Sequence, residues 1–294
     1  MNFKDISLYI PCYNAAPFLA MVVGGVLEQS WPLREVLIID DGSTDGTVRL
    51  AEALGEGSIY PLRVIRHGHN LGLGAARNTG VREARGALVA SVDADVIPAS
   101  DWLEKLVMEM QKSNAAGVGG TLIESNLTRL SDRWRTAHMS QTWGEYRREN
   151  PPFLYGSNTL FHRHVLLKAG LYDIRCRTNA EDVKLCEKIR DSHKLIYTPL
   201  GRCIHLRKDR LSDVLNIFWK WHWYGNYSPV SLKLTFDSNR RHLTRILRLL
   251  RVDIFKRDVP IVMVDLAMFF YGICADWKAF SSKKLSAKSM IKIS

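Results

Sequence analysis

The chain has 294 residues, of which 46% are hydrophobic and 24% are charged. This composition excludes general disorder and allows one large domain with a core of its own, together with a smaller appendage. Residues 1–201 hold 23 Lys and Arg against 23 Asp and Glu, whereas residues 202–294 hold 18 against 7. The net charge of +11 therefore lies in the last third, which suits nucleic acid, anionic lipid, a phosphorylated acceptor or a solvated surface equally well.

The chain opens on a strand-like apolar run, 6–10, rather than on a basic segment followed by a long apolar one. We therefore expect no cleaved secretion signal. The five cysteines form no CxxC pair and are odd in number, which argues against a disulfide framework or a zinc ribbon: Cys12, Cys176, Cys186, Cys203 and Cys274. Both observations favour the reducing cytoplasm.

Apolar runs of strand length recur along the first third of the chain, with helical patterns between them. They cover residues 6–10, 35–40, 62–66 and 87–92, and the segment 17–30 between the first two has helical length. This alternation predicts an α/β fold, with a mostly parallel sheet flanked by helices. In open sheets of this kind, ligands bind at the carboxyl ends of the strands.

After about residue 205 the pattern changes to long amphipathic stretches, 211–227 and 242–255, rich in Trp, Leu and Arg. Residues 259–275 are the most hydrophobic stretch, but they are short for a membrane span and contain Asp265. We interpret them as a core or interfacial helix rather than a transmembrane helix. The predicted domains are a catalytic domain (1–205), an amphipathic, membrane-associated helical extension (206–280) and a flexible basic tail (281–294).

Two carboxylates separated by one residue, Asp93 and Asp95, follow the fourth apolar run. In a regular strand, alternate side chains share a face, so both could bind one cation. Hard oxygen ligands suit Mg²⁺ or Mn²⁺ held jointly with substrate phosphates. The first two runs end in equally polar segments, 11–14 and 40–46, so that three strand ends carry candidate site residues.

These segments, with their order and spacing, closely resemble the family 2 glycosyltransferases, whose nucleotide-binding fold is called GT-A. The matching motifs cover roughly residues 5–205: PCYN (11–14), DDGSTDGT (40–47), NLGLGAARNTG (70–80), DAD (93–95), GSN (156–158) and AED (180–182). The resemblance implies a GT-A fold and a nucleotide diphosphate sugar as donor. It also implies transfer of the sugar with inversion at its anomeric carbon.

On the donor side, the resemblance implies that Asp41 accepts a hydrogen bond from a uracil ring, with Pro11 and Tyr13 flanking the base and Asn14 in the same motif. Arg77 matches a position that reaches the uridine or the diphosphate, and a guanidinium suits phosphate. The structural alternatives are a turn and helix cap for Asp41 and an exposed helix residue for Arg77.

The resemblance makes Asp93 a contact to the ribose or the metal, and Asp95 the principal ligand of Mn²⁺ or Mg²⁺. His205 matches a third metal ligand of some relatives, although a lone histidine is also commonly structural. Asn158 would contact the donor sugar or the acceptor, or else form a simple turn.

The resemblance also places Asp182 as the general base for the acceptor hydroxyl and Glu181 beside it, as a group that orients the base or meets the acceptor. An acidic helix start is the alternative. The chain lacks the QxxRW motif of processive members, which favours single-sugar transfer.

The sequence thus predicts a metal-dependent hexosyltransferase that uses a nucleotide-sugar donor, most simply a UDP-sugar. We expect a glycan or lipid-linked acceptor of the cell envelope, contact with anionic membrane at its cytoplasmic face, and no nucleic-acid partner. The competing hypotheses are a nucleotidyltransferase of related fold and a catalytically inactive membrane-peripheral scaffold. The first should carry a basic, glycine-rich loop after the first strand, where this chain has Pro-Cys-Tyr-Asn.

Overall fold

A computed structural model describes residue 3 and residues 5–176, 179–222 and 232–291. They divide into two compact units. The first consists of Met1–Ser125 and Ser140–Arg207, and the second of Asn126–Met139 and Lys208–Ser294. The sequence pattern did not predict that residues 126–139 would group with the C-terminal helices.

The first half of the first unit alternates strands with helices. Its elements are β1 (Ile6–Cys12), α1 (Ala16–Leu27), β2 (Glu35–Asp40), α2 (Thr47–Gly55), β3 (Leu62–Arg66), α3 (Leu73–Glu83) and β4 (Leu88–Val92). Strand β1 pairs in parallel with β2 and β4, and β2 pairs in parallel with β3. The predicted βαβ pattern is therefore confirmed in this half.

The second half of this unit extends the same sheet. Its elements are β5 (Val96–Pro98), α4 (Trp102–Ser113), β6 (Gly117–Glu124), β7 (Arg148–Glu149), β8 (Asn158–His162), α6 (Arg163–Lys168), α7 (Glu181–Arg190) and β9 (Leu195–His205). The strand order is β3-β2-β1-β4-β8-β6-β9-β5, and β7 pairs with β9. Because β8 runs antiparallel to both β4 and β6, and β5 and β7 run antiparallel to β9, the sheet is mixed rather than mostly parallel.

Both faces of the sheet are buried, which explains why its strands are continuously apolar. Side chains of β1 alternate between two cores: Leu8 packs with helices α1 and α4 on one face, while Tyr9 packs with α3 and α7 on the other. Each large aliphatic side chain buried in this way contributes about 1.5–3 kcal/mol to stability. The rigid core fixes the carboxyl ends of β1, β2 and β4 at one edge of the sheet.

The second unit is helical. It contains α5 (Leu130–His138), α8 (Leu211–His222), α9 (Leu232–Phe255) and α10 (Val259–Ile291). Its core includes Trp134, Phe218, Ile246, Val264 and Met268. Both predicted amphipathic stretches are helical where they are described, and 223–227 lies outside the described residues. The segment predicted as a flexible tail from residue 281 is helical to Ile291, and 292–294 lie outside the described part of the chain.

One helix among the described residues, Val259–Ser281, is long and apolar enough to cross a membrane by length and composition. Asp265 in this helix is fully buried, and its carboxylate accepts a hydrogen bond from the indole N–H of Trp134 at 2.8 Å. The helix therefore presents at least one polar side chain to the interior of its own unit.

Candidate functional site

The loops that follow β1 and β2 are joined by hydrogen bonds. Asn14 adopts the left-handed backbone conformation (φ 51°), its N–H donates to the Ser43 hydroxyl, and its Oδ1 accepts from the Thr44 N–H, both at 2.9 Å. Tyr13 beside it is 52% exposed, so its ring is open to a ligand, whereas Pro11 is buried within β1. Of the predicted base-flanking residues, the structure leaves Tyr13 accessible.

Asp41, directly after β2, is hydrogen-bonded to a third loop, which contains residues 67–72. Its Oδ1 accepts a hydrogen bond from the Leu71 N–H at 2.9 Å and its Oδ2 from the Gly72 N–H at 2.8 Å, and His67 Nδ1 lies 2.7 Å from Oδ1. A carboxylate has about four acceptor positions, so capacity for one further donor remains. The predicted contact of Asp41 with a uracil N–H stays a prediction.

The turn that follows β2 accommodates only a glycine at position 42. Its φ is +75°, and a Cβ at this position would lie 2.6 Å from the backbone carbon of His69. Glycine is the residue that adopts this conformation without steric strain. The DDG sequence therefore allows the 69–72 loop to lie directly against the end of β2.

Asp93 and Asp95 lie in the turn that joins β4 to β5, where the Val96 N–H donates to the Asp93 carbonyl at 3.0 Å. The strand alternation used to predict their shared face therefore does not apply, because neither residue is in a regular strand. Their side chains are 27% and 28% exposed. Burial raises the pKa of Asp93, Arg77 opposes this increase, and the negative charge of Asp95 adds to it.

His205 is brought to this turn by the antiparallel pairing of β5 with β9, which places it opposite Val96. Its Nε2 lies 3.4 Å from Asp95 Oδ2, and its Nδ1 lies 3.0 Å from Glu124 Oε1. Burial would lower the pKa of His205, but the hydrogen bonds with Asp95 and Glu124 raise it to about 9. The structure thus brings the predicted residues Asp95 and His205 together.

Glu124 is a functional candidate that the sequence analysis missed. It is the last residue of β6, and the parallel register of β6 and β9 pairs it with His205. Ligating histidines commonly direct their second nitrogen to a carboxylate, which fixes the ring orientation. The sequence around Glu124 shows only a carboxylate at the end of an apolar run. Its partner, His205, is 81 positions away, so the sequence gives no sign that the two residues meet.

The donor set at this turn fits a divalent cation. Two partly exposed carboxylates and one imidazole, itself oriented by Glu124, offer the oxygen and nitrogen ligands that Mn²⁺ accepts. Mg²⁺ would be held by the carboxylates alone with water and phosphate oxygens. The residues present are therefore compatible with the metal that the family resemblance implies.

Arg77 lies beneath the site rather than at its surface. It is 2% exposed, and its Nε donates to Glu181 Oε1 at 3.1 Å while Nη2 donates to Asp93 Oδ1 at 2.8 Å. Its Nη1 donates to the Ser91 hydroxyl at 3.0 Å and to the Gly156 carbonyl at 2.8 Å. Arg77 therefore joins the 93–95 turn to the acidic start of α7, and its predicted contact with the donor stays a prediction.

Glu181 and Asp182 begin α7 directly after Ala180, which has a left-handed backbone (φ 66°) that is uncommon for alanine. Asp182 accepts hydrogen bonds from the N–H groups of Gly156 at 3.0 Å and Val183 at 2.8 Å. Burial raises the pKa of Asp182. Burial, and then the charge of Asp182, raise the pKa of Glu181 to about 7 although Arg77 opposes them.

The GSN turn supports the acidic pair through its glycine rather than through its asparagine. A Cβ on Gly156 would lie 2.9 Å from the guanidinium carbon of Arg77, so the turn packs directly on that group. Asn158 is fully buried: its Oδ1 accepts from Trp102 Nε1, and its Nδ2 donates to the Thr121 and Gly201 carbonyls. The side-chain amide thus has an internal partner for its oxygen and for both N–H groups. This differs from the predicted contact with sugar or acceptor, because the amide joins three strands and a helix inside the unit.

The mixed sheet with helices on both faces is the GT-A fold. The chain superposes on a mannosyltransferase from Pyrobaculum calidifontis in complex with GDP-Man and Mn²⁺ with a TM-score of 0.60. This match covers 93% of the present chain and 87% of the other at 20% identity. The S. aureus TarS 1–349 structure with UDP gives a TM-score of 0.57 at 15% identity, over 96% and 92% of the two chains. At these identities the likeness shows the fold alone.

A family model for glycosyl transferase family 2 matches residues 7–170, which is more than half of the chain. The chain therefore belongs to glycosyl transferase family 2. It is 34% identical over 119 residues to glycosyltransferase AglE of Haloferax volcanii, covering 40% of this chain and 39% of that protein. A glucosyl-dolichyl phosphate glucuronosyltransferase of the same organism is 25% identical over 256 residues, or 81% and 80% of the two chains. The matches to AglE, YibD and EpsJ span 39%, 26% and 33% of those relatives.

Proposed function

We propose that this chain transfers a single sugar from a nucleotide diphosphate donor to an acceptor hydroxyl with inversion of configuration. The observation that carries the proposal is that two sets of contacts meet at the 93–95 turn: Asp95 contacts His205, and Asp93 contacts Arg77, which also contacts Glu181. The turn that would bind the cation is thereby tied through Arg77 to Glu181, the neighbour in sequence of the candidate general base Asp182. An inverting transferase needs both functions in one site.

The donor end would hold the nucleotide between Tyr13 and Asp41 and the diphosphate near the 93–95 turn. We favour UDP as the nucleotide because of the role that the family resemblance implies for Asp41; among the similar structures, GalNAc-T7 holds UDP and the Pyrobaculum mannosyltransferase holds GDP-Man, each with Mn²⁺. Asp93, Asp95 and His205 would hold Mn²⁺ or Mg²⁺. When bound, the cation supplies Lewis-acid stabilisation of the negative charge that develops on the leaving diphosphate.

Asp182 would act as the general base. Its two backbone hydrogen bonds fix the orientation of the carboxylate, and burial raises its pKa toward the range in which a base accepts a proton efficiently. In the reaction, Asp182 would take the proton of the acceptor hydroxyl while that oxygen forms its bond to the anomeric carbon. The bond to the diphosphate breaks on the opposite face. Glu181, held by Arg77, would position the start of α7 and thereby Asp182.

Two competing hypotheses predict different results. A nucleotidyltransferase would need a basic, glycine-rich loop after β1, where the structure has Tyr13 and Asn14 tied to the next loop. A scaffold without catalysis would leave a nucleotide-sugar donor unchanged. Incubation with a nucleotide diphosphate sugar and pyrophosphate separates them, because a nucleotidyltransferase would move the nucleoside monophosphate to pyrophosphate and release sugar 1-phosphate, whereas the transferase proposed here releases nucleoside diphosphate only when an acceptor is added.

The catalytic proposal can be tested with a panel of UDP- and GDP-sugars and simple glycoside or lipid-phosphate acceptors, followed by NMR. We expect release of nucleoside diphosphate and a product of inverted anomeric configuration. Asp182→Asn should reduce turnover by roughly 10²–10⁴-fold without loss of nucleotide binding. Asp191→Asn, which changes an acid at the opposite end of α7, is the matched control. A retained configuration, or full activity of Asp182→Asn, would contradict the proposal.

We further propose that the second unit contacts an anionic membrane at the cytoplasmic face, where the acceptor is a lipid-linked glycan of the cell envelope. Along α10, the exposed apolar residues Val259, Met263, Leu266 and Phe270 are spaced at 4, 3 and 4 positions and therefore share one helix face. Phe255, just before this helix, is 89% exposed. Such a contiguous apolar face is typical of an interaction surface rather than of a solvated helix.

Basic side chains lie beside this apolar face in the sequence and along α9. They are exposed in the structure: Arg240, Arg241, Arg248, Arg251, Lys256 and Arg257. An open surface depression of about 560 Å³ is lined by residues 251, 252 and 254–256. Amphipathic helices with basic and apolar faces of this kind bind anionic bilayers.

Sedimentation with vesicles tests the membrane contact. We expect binding to vesicles that contain anionic lipid, little binding to neutral vesicles, and loss of binding in Phe255→Ser combined with Arg251→Gln. Ile59→Ser, which removes a 72% exposed apolar residue of the first unit, is the control and should bind as wild type. Equal binding of all three proteins would contradict this contact.

A further inference from the structure

The second unit contains a buried histidine and two buried aspartates that the reaction proposed above does not use. His138 ends α5, Asp253 lies near the end of α9, and Asp265 lies on α10. One potential ligand atom from each residue lies within 4.8 Å of the other two. The side chains of His138 and Asp253 are 5% and 2% exposed, and Asp265 is fully buried. Three helices therefore bring one potential metal ligand each to one interior position.

The atoms that face one another in this cluster have no hydrogen-bond partner outside the cluster within the described residues. They are His138 Nε2, Asp253 Oδ2 and Asp265 Oδ2, and all three are buried. Nε2 and Asp253 Oδ2 are 2.7 Å apart, and this contact lies within the cluster. Buried polar atoms almost always have partners, so three converging lone-pair donors point to a cation between them.

The second carboxylate oxygen of Asp265 supports this interpretation. Its Oδ1 accepts a hydrogen bond from the Trp134 indole N–H at 2.8 Å, which orients the carboxylate and leaves Oδ2 to the cluster. Metal-binding carboxylates are commonly held in place by such outer hydrogen bonds. The Trp134 ring also packs against the ring of His138, with centroids 4.9 Å apart.

Asp276, on the same helix, provides an internal comparison. It is equally buried, but its Oδ1 accepts from the Trp219 indole N–H at 2.7 Å and its Oδ2 accepts from the Ser238 hydroxyl. Both oxygens of Asp276 are thus used within the protein. The contrast shows that burial of an aspartate on α10 does not by itself leave an oxygen without a donor.

We propose that His138, Asp253 and Asp265 bind one divalent transition-metal ion, which joins α5 to α9 and α10. One imidazole and two carboxylates form a ligand set of the kind that Zn²⁺ and Mn²⁺ accept, and the absence of sulfur disfavours Cu⁺. A divalent cation would also offset the two carboxylate charges in the interior. Metal sites in helical bundles are built in this way, from inward side chains on facing helices. This site is independent of the proposed transfer reaction.

The test uses the full chain carrying Asp95→Asn, so that binding at the sheet-edge turn does not obscure the result. After removal of metal with a chelator, the protein is titrated calorimetrically with Zn²⁺ and, separately, with Mn²⁺, and its melting temperature is recorded. We expect one ion per chain for at least one of these metals, with a higher melting temperature when it is bound.

The ligand assignment is tested by adding Asp265→Asn or His138→Gln to this background. Each should weaken binding by roughly 100-fold or more, since outer-shell changes alone weaken metal sites 10–100-fold, and should abolish the metal-dependent rise in melting temperature. Asp276→Asn is the matched control and should bind as the background does. Because His138→Gln lies outside α10, it reports on the site even where Asp265→Asn fails to fold. Absence of binding to the background protein, or binding that survives both ligand substitutions, would overturn the proposal.

Discussion

Replacement of Arg77 by methionine tests whether the buried ion pair of Arg77 with Glu181 stabilises the fold. Methionine keeps much of the side-chain length and removes the charge. In the structure, Arg77 is 2% exposed and bonds a 3% exposed carboxylate, Glu181, so the substitution leaves a buried acid without its partner. Breaking a buried ion pair on one side typically destabilises a protein by about 3–5 kcal/mol. The ion pair of Arg77 with Asp93 is more exposed, and its loss adds about 0–1 kcal/mol to this destabilisation.

The loss of folding stability in Arg77→Met should depend on pH. A carboxyl whose folded-state pKa is raised favours the folded state at low pH, and this contribution is lost as pH rises through that pKa. Glu181 already has a pKa raised to about 7 while it faces Arg77, Asp182 and Asp93. Loss of Arg77 raises it further, so Arg77→Met should be destabilised more at pH 8 than at pH 5.5.

Urea unfolding at both pH values measures these free energies, and the double variant Arg77→Met/Glu181→Gln is the control. Because the double variant leaves no unpaired Glu181 carboxylate, it should recover part of the stability lost at pH 8. A loss below about 1 kcal/mol in Arg77→Met, or the same loss at both pH values, would refute the assignment of Arg77 as the partner of a buried Glu181 carboxylate.

Two further predictions concern the groups beside the proposed reaction. Burial raises the pKa of Asp182 and the charge of Arg77 lowers it, so Arg77→Met should move the acid limb of the kcat/KM profile to higher pH; an unmoved limb would argue that Asp182 is not the titrating base. Glu124→Gln should weaken Mn²⁺ binding by roughly 10–100-fold, measured by calorimetry, because Glu124 orients His205, whereas the exposed Glu187→Gln should have no effect.

The sequence predicted the fold and the edge of the sheet at which the site lies because both depend on local signals. Apolar runs alternate with helical patterns, and the polar motifs after β1, β2 and β4 stand where parallel strands end. Because β2 and β4 both run parallel to β1, Asp41 and Asp95 lie at the same edge of the sheet, where these strands end. The sequence also named His205, because its motif position matches that of a third metal ligand in some relatives; the structure places it beside Asp95, and its ligand role stays a prediction.

Features that depend on pairing between distant segments could not be predicted in the same way. The role of Glu124 requires the register of β6 on β9, and the depth of Arg77 requires the packing of α3 beneath the 93–95 turn. Asn158 resembled a ligand contact in sequence, but the β4–β8 pairing buries its side chain inside the unit. The grouping of 126–139 with the C-terminal helices likewise has no local signature.

Nucleotide binding tests the central claim, a cation-dependent nucleotide-sugar site at the 93–95 turn, most directly. Calorimetric titration of the wild-type chain with UDP and with GDP, each with and without Mn²⁺, should show one site for UDP whose affinity depends on the metal. Asp95→Asn should abolish the metal dependence. Failure of both nucleotides to bind under any metal condition, or identical metal-dependent binding by Asp95→Asn, would contradict the claim.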